Sequence, residues 1–423
     1  MKPYAKFIPR IILLCAIGII FLSQLSCSKD YDGTDVEPNV ERSILPIVII
    51  KTPDSQPITS KDMYIEDAQI SIIGKKSEDD FYGTMKIKGR GNINWIEAPK
   101  KAYAIKFTEQ QSLLSYPKGK SWVLLGNYYD KTLQKTDIAL FMGHQMSKLD
   151  YTPNMDFVEL ELNNNYLGIY QLGEKPRISK KRVDVGNDGF LLEIDAKAWD
   201  KDDVIFKTPH LEQPINIKDP DIIPDGDDFN YIKNFVTNAE TALYADNFTN
   251  PDDGYRKYID VDSFVEWYLI NEISKNNDAA FYSSCYMHLK RGEKLKMGPI
   301  WDFDWAFGGT TLNGNNSPEG FWIKIAASWY IRLFQDPTFV KRVKQRFNEL
   351  YVNRQIIYTH MDENTSTILK LILKDNKVWG KVSPKTAGID EVQSTYSEKV
   401  EELKDWIEKR FKWLNTNINS LPE

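Results

Sequence analysis

Two alternating stretches, residues 157–162 (FVELEL) and 166–172 (YLGIYQL), flank Asn163-Asn164-Asn165. Apolar-polar alternation on both sides of an Asn-rich turn specifies a β-hairpin more firmly than any other local pattern in the chain. The residues before it continue the same texture. Short strand-like runs with turn signals fall at 44–51, 63–73, 82–88, 102–107 and 121–125, with one helical spacing at 133–149. A further strand is expected at 189–195. After about residue 225 the pattern changes to helical candidates at 227–244, 262–274, 337–351, 356–373 and 391–414, interrupted by one strand pair at 284–290 and 294–298. Asp262 is read as the N-cap of the second of these helices. The layout predicts an α+β fold of two lobes, strand-rich over 44–195 and helix-rich over 196–423, with a cleft between them.

The 423 residues carry 54 basic and 60 acidic side chains for a net charge of -6, which gives no support for a nucleic-acid partner recognised through its phosphates. Near the start, Lys2, Lys6 and Arg10 precede the apolar run 11–22, too short for a stable membrane-spanning helix and suited to the core of an export signal. Ser26 before Cys27 is similar to a bacterial lipoprotein cleavage site, although Gln24 stands where Leu is usual. The reading is therefore a signal peptide over 1–26, a lipid on Cys27 that ties the chain to a membrane of the bacterial cell envelope, and a polar tether over 27–43. The alternative is a plain signal peptide or short anchor. With only Cys15, Cys27 and Cys285 in the chain, no intramolecular disulfide is expected.

The chemistry concentrates at residues 299–309, PIWDFDWAFGG. If 301–305 is extended, Asp302 and Asp304 share one face with Cα atoms about 6.5 Å apart, a spacing from which two carboxylates can share a hard cation. The surrounding aromatics, Trp301 among them, form a wall that excludes water and can stack on a ligand ring. Capping a turn or pairing with nearby cations is the plainer role for the same two carboxylates. Lys275-Asn276-Asn277-Asp278 follows the helix at 262–274 and precedes the strand pair that delivers Asp302, so a base and metal ligands can assemble from adjacent pieces. The first half supplies cations. Lys88-Gly89-Arg90-Gly91-Asn92 ends a strand in a Gly-rich loop, and strand alternation puts Lys101 on the apolar face with Tyr103, Ile105 and Phe107 while Lys100 falls on the other. A lysine on that face suits a phosphate, or snorkels at the strand start. Glu174, at the end of the hairpin, is placed to orient such a lysine or to stand exposed. None of His144, His210, His288 and His360 has metal-ligand spacing, and Gly-x-Ser-x-Gly does not occur, so zinc and serine-hydrolase chemistry have no foothold.

The ordered set Lys88-Gly89-Arg90-Gly91-Asn92, Pro99-Lys100-Lys101 through Ile105-Lys106-Phe107, Leu124-Leu125-Gly126-Asn127-Tyr128-Tyr129-Asp130-Lys131, Val158-Glu159-Leu160, Gly168-Ile169-Tyr170, Glu174-Lys175, Leu192-Glu193-Ile194-Asp195 and Gly298-Pro299-Ile300-Trp301-Asp302-Phe303-Asp304 resembles the CotH (spore coat protein H) family. The resemblance implies a divergent protein-kinase-like fold that binds ATP with Mg2+ or Mn2+ and phosphorylates protein Ser or Thr. By motif it implies Asp302 as the metal ligand with Asp304 in support, Asp278 as the catalytic base, and Arg90, Lys100 or Lys101, and Glu174 as the phosphate-binding set. Where family members often carry an Asn after that Asp, this chain has Ser283-Ser284-Cys285-Tyr286, implying a weaker metal site or one completed by water. The competing expectation is an inactive surface protein whose aromatic cleft binds a glycan or a protein partner. A glycosidase using Asp302 and Asp304 as acid and base has only the carboxylate spacing behind it.

Overall fold

A computed structural model describes residues 42–200 and 203–423. The expected signal peptide and Cys27 lie outside the described residues. The first half forms β1 (Ile47–Lys51), β2 (Ile65–Ile73), β3 (Phe81–Arg90), β4 (Ala102–Gln111), β5 (Gly119–Leu125), β6 (Met155–Leu162) and β7 (Asn165–Glu174), with the short helix α1 (Ile93–Ile96) after β3 and α2 (Lys135–Gln145) after β5. These strands close into a barrel in the order β1-β2-β3-β4-β5-β7-β6, sealed where β1 runs parallel to β6 with Ile47 opposite Glu159. The hairpin forms as the sequence predicts: Leu162 pairs with Asn165, and Asn163 and Asn164 both take positive φ, 51° and 61°. Two such residues give the turn whose twist matches its strands, and Asn tolerates that conformation well.

Alternation also sets what the barrel shows outside. Along β3, Met85, Ile87 and Gly89 face the interior with Val48, Ile70 and Trp122, so Lys88 and Arg90 project outward from the same face. The outward row is the one that meets the cleft.

The second sheet, in the order β12-β11-β8-β10-β9, joins β8 (Phe190–Ile194), β9 (Ile205–Phe206), β10 (Ile215–Asp219), β11 (Cys285–Leu289) and β12 (Lys296–Met297). It packs with α3 (Asp227–Tyr244), α4 (Val261–Ser274), α5 (Ile323–Ala326), α6 (Ser328–Leu333), α7 (Pro337–Asn353), α8 (Gln355–Ile368), α9 (Ile372–Trp379) and α10 (Ile389–Asn419) around a second and larger core. The fold is thus mixed α+β, strand-rich first and helix-rich after.

Helix α4 is buried nearly all round, as a helix apolar on every face must be. Its two carboxylates inside that core are each matched by a guanidinium, Glu266 by Arg346 and Glu272 by Arg410. The N-cap is Asp260, whose side chain accepts from Ser263 N, so Asp262 sits in the first turn instead. The predicted helix 356–373 is broken into α8 and α9. The break lets Asp375 reach the barrel, where its Oδ1 accepts from Lys100 Nζ at 2.7 Å and Ile169 N at 2.8 Å. Gly168, at φ 88°, makes room for it: a Cβ there would lie 2.2 Å from Asp375 Oδ1.

Candidate functional site

A cleft of about 900 Å³ runs along the outward face of β3, past the exit of β7, to the second sheet and the turn that ends α4. Its acidic wall is built from two turns. Helix α4 stops at Lys275, which adopts the left-handed conformation (φ 47°, ψ 48°) and turns the chain so that Asn277 and Asp278 enter the cleft. The β11–β12 pair then delivers residues 299–305. Asp302 is itself left-handed, at φ 62°, so the segment is not the extended strand that the sequence pattern suggested. The reason lies in tertiary hydrogen bonds. Asn276 Nδ2 donates to Asp302 O at 3.1 Å, and Phe307 N donates to Ser274 O at 2.7 Å, folding the segment back onto the end of α4.

The bend still leaves both carboxylates lining the cleft with Asp278. Ser284 Oγ donates to Asp302 Oδ2 at 3.2 Å, Asn277 Nδ2 to Asp278 Oδ1 at 3.1 Å, and Asn94 Nδ2 to Asp304 Oδ2. Burial, and next the neighbouring Asp302 charge, pushes Asp278 up to about 6 and Asp304 up to about 7. Asn94 and Arg90 hold Asp304 lower than burial alone would.

The paired glycines that close the motif are steric requirements. At Gly308, φ 70°, a Cβ would come within 2.8 Å of Trp406 Nε1 from α10. At Gly309 it would come within 2.8 Å of Ala306 O and 3.0 Å of Asp304 O, both backbone atoms of the same turn.

The cleft is also lined by cations. Among the described residues, Lys88, Arg90, Lys175 and Arg177 line the cleft and none has a carboxylate within ion-pair distance. Arg90 lies over the Trp301 ring at 5.7 Å, and Arg177 Nη1 donates to Lys218 O. Burial lowers Lys175 well below the usual lysine value, and the positive charges of Arg177, Lys218 and Arg90 add to the effect.

Arg90, Asp278, Trp301, Asp302 and Asp304 are therefore brought together in one cleft. Of the remaining candidates, Lys100 borders an adjoining recess that Arg90, Trp301, Asp302 and Asp304 also line, and Lys101 and Glu174 fall elsewhere. Lys101 Nζ donates to Trp95 O at 2.6 Å and lies over the Trp95 ring, outside the cleft. The strand β4 begins only at Ala102, so alternation does not govern Lys101. Lys100 is 1 % exposed, and its ammonium is taken by Asp375 and Ile169 O. Glu174 is fully buried against Arg182, Tyr151 and Asn154, and orients neither lysine. Gly89 N donates to Ser60 O, and a Cβ on Gly89 would strike the Trp95 ring, so this glycine seats an indole and offers no free N–H.

Lys175 was the residue hidden in plain view. It follows Glu174, whose side chain points into the barrel, and the next side chain must leave on the other side. Asn94, Lys275 and Ser284 carried no local signal.

Three neighbouring carboxylates only partly offset by Arg90 and Lys197, with four cations that have no carboxylate within ion-pair distance, make a surface that suits a hard metal ion carrying a polyanion. Among the described residues no cluster of His, Cys, Asp or Glu could hold a metal by itself. Asp302 and Asp304 fit such an ion only with further oxygens from water and ligand, the usual arrangement for Mg2+.

A barrel and a second sheet with a cleft lined by both carboxylates and cations define an α+β protein with a strongly charged cleft. Among known families, the model described as CotH kinase protein matches residues 87–414, from within β3 to within α10, and this chain belongs to that family. The matched span contains every residue lining the cleft except the outlying Lys61 and Asp62. No curated protein matches the chain.

Proposed function

We propose that the chain is a divergent, bilobed protein-kinase-like enzyme that transfers the terminal phosphoryl group of ATP, with a divalent metal, to a protein Ser or Thr hydroxyl. The observation that carries the reading is that Asp278, Asp302 and Asp304 line one cleft together with Lys88, Arg90, Lys175 and Arg177, which among the described residues have no carboxylate within ion-pair distance. Asp302 and Asp304 would hold Mg2+ or Mn2+, which neutralises phosphate charge during transfer. Arg90 and Lys175 bind the phosphate oxygens. Asp278 accepts the proton of the attacking hydroxyl. A base with a value near 6 is ionised at neutral pH yet basic enough to take that proton. Asn277 keeps one of its oxygens oriented. The Trp301 ring, stacked beneath Arg90, limits water at the same place.

Titration calorimetry of MgATP into the wild type and Asp302→Ala is the direct test. Metal-dependent binding that vanishes in the variant supports the reading. Absence of binding in the wild type would refute it and leave a kinase-like cleft retained without catalysis, for a glycan or a protein partner. The same proposal places the protein in the bacterial cell envelope through a lipid on Cys27, so Cys27→Ser should move it from the membrane fraction to the soluble fraction.

A further inference from the structure

The turn that ends α4 holds more than Asp278. Lys275 is 4 % exposed and has no carboxylate within ion-pair distance. Its ammonium donates instead to three backbone carbonyls of one segment, Gly314 O at 3.3 Å, Ser317 O at 3.0 Å and Glu319 O at 2.6 Å. Asn277 Oδ1, two residues on, accepts from Asn313 Nδ2 at 3.1 Å and Asn315 Nδ2 at 3.0 Å. From the far side α10 contributes Arg410 Nη1 to Pro318 O and Gly320 O, and Trp406 Nε1 to Asn316 O.

Residues 309–320 contain no regular structure beyond one short turn at Leu312–Gly314, so their carbonyls are satisfied chiefly by these side chains. At the tip of the segment, Leu312 and Asn313 line the cleft together with Asn277, Asp278 and Trp322.

We propose that Lys275 is a positioning residue for the acceptor: it fixes residues 309–320 as a preformed wall beside Asp278, against which the hydroxyl-bearing chain is laid. This rests on the phosphotransfer reading. Arg410 could not serve the same purpose alone, because it is also committed to Glu272, whereas every donor of Lys275 goes to the wall. Removing the ammonium leaves Ser317 O and Glu319 O without a donor, while Gly314 O keeps only Ser317 N, in a segment with few hydrogen bonds of its own. Burial and Arg410 lower Lys275 to about 8, Glu272 and Glu319 oppose them, and the ammonium is still the main form at neutral pH. None of Lys88, Arg90, Lys175 and Arg177 is involved, so the nucleotide side is independent of it.

The test compares full-length wild type, Lys275→Met and Lys275→Arg by hydrogen exchange, with peptides covering 309–320 as the readout and the α4 peptide as internal control. In Lys275→Met, exchange over 309–320 should rise about tenfold with α4 unchanged, and Lys275→Arg should restore most of the protection. MgATP affinity should stay within about twofold of wild type, while KM for a synthetic Ser-containing peptide mixture rises about fivefold or more with kcat less affected. Wild-type exchange over 309–320 in Lys275→Met would overturn the inference. So would faster exchange of α4 as well, which would make Lys275 a general folding residue, or a loss of MgATP affinity, which would assign it to the nucleotide. If the wild type binds no MgATP, the phosphotransfer reading fails and takes the acceptor role with it. The exchange comparison separately decides whether Lys275 holds the wall.

Discussion

Replacing Asp278 with Asn tests the electrostatics of the cleft while keeping its shape. Burial, followed by the Asp302 charge, raises Asp278 from 3.8 to about 6, and Asn277 and Lys197 offset only part of this. A carboxyl raised by folding binds a proton more readily in the folded than in the unfolded chain. Its ionisation therefore costs stability: nothing below about pH 4, increasingly between pH 4 and 6, and fully above about pH 6. The change from 3.8 to about 6 corresponds to about 3 kcal/mol, or about 2 kcal/mol after screening by the solvent that reaches the cleft. Asparagine can still accept from Asn277 Nδ2 and carries no charge. With an unfolding entropy of about 2.1 cal/mol/K per residue over a folded unit of residues 42–423, Asp278→Asn should melt about 3 °C above wild type at pH 8 and together with it near pH 4. Scanning calorimetry without metal or nucleotide, at several pH values, reads the gap. A gap that does not change with pH, or a variant less stable than wild type at pH 8, would refute the reasoning.

Lys175→Ala should weaken MgATP binding by more than about tenfold, while Lys101→Ala stays within about twofold, because only the first removes a cation from the cleft; calorimetry separates them. Asp375→Ala strands the buried ammonium of Lys100 and should cost about 3–5 kcal/mol in urea unfolding, with the paired Lys100→Met, Asp375→Leu variant recovering part of the loss.

Periodicity located what depends on near neighbours. The hairpin of β6 and β7, the bounds of α3, the strand pair before the aspartates and the joining of Asp278 to Asp302 were all readable, because each rests on alternation, helical spacing or chain adjacency. The parallel seam between β1 and β6 was not, since its partners are more than a hundred residues apart and neither strand differs in pattern from one that pairs only antiparallel. The partners of the lysines were hidden for the same reason. What claims Lys100 is Asp375, 275 positions away, whereas among the described residues Lys175 has no carboxylate within ion-pair distance. Asp302 escaped the extended reading because an Asn of another turn pulls on its carbonyl, a force that no window of sequence contains.

The parallel pairing of β1 with β6 bears on how the folded chain meets other chains. A sheet left open exposes backbone donors and acceptors at two edges, where a foreign strand can add and aggregation can begin. With the seam closed, the barrel offers none. Among the described residues, strand addition is left to the two ends of the second sheet, and there the outer strands, Ile205–Phe206 and Lys296–Met297, are only two residues long. So short a template gives an incoming segment little to hold, so the described part of the molecule offers a protein partner chiefly its side chains.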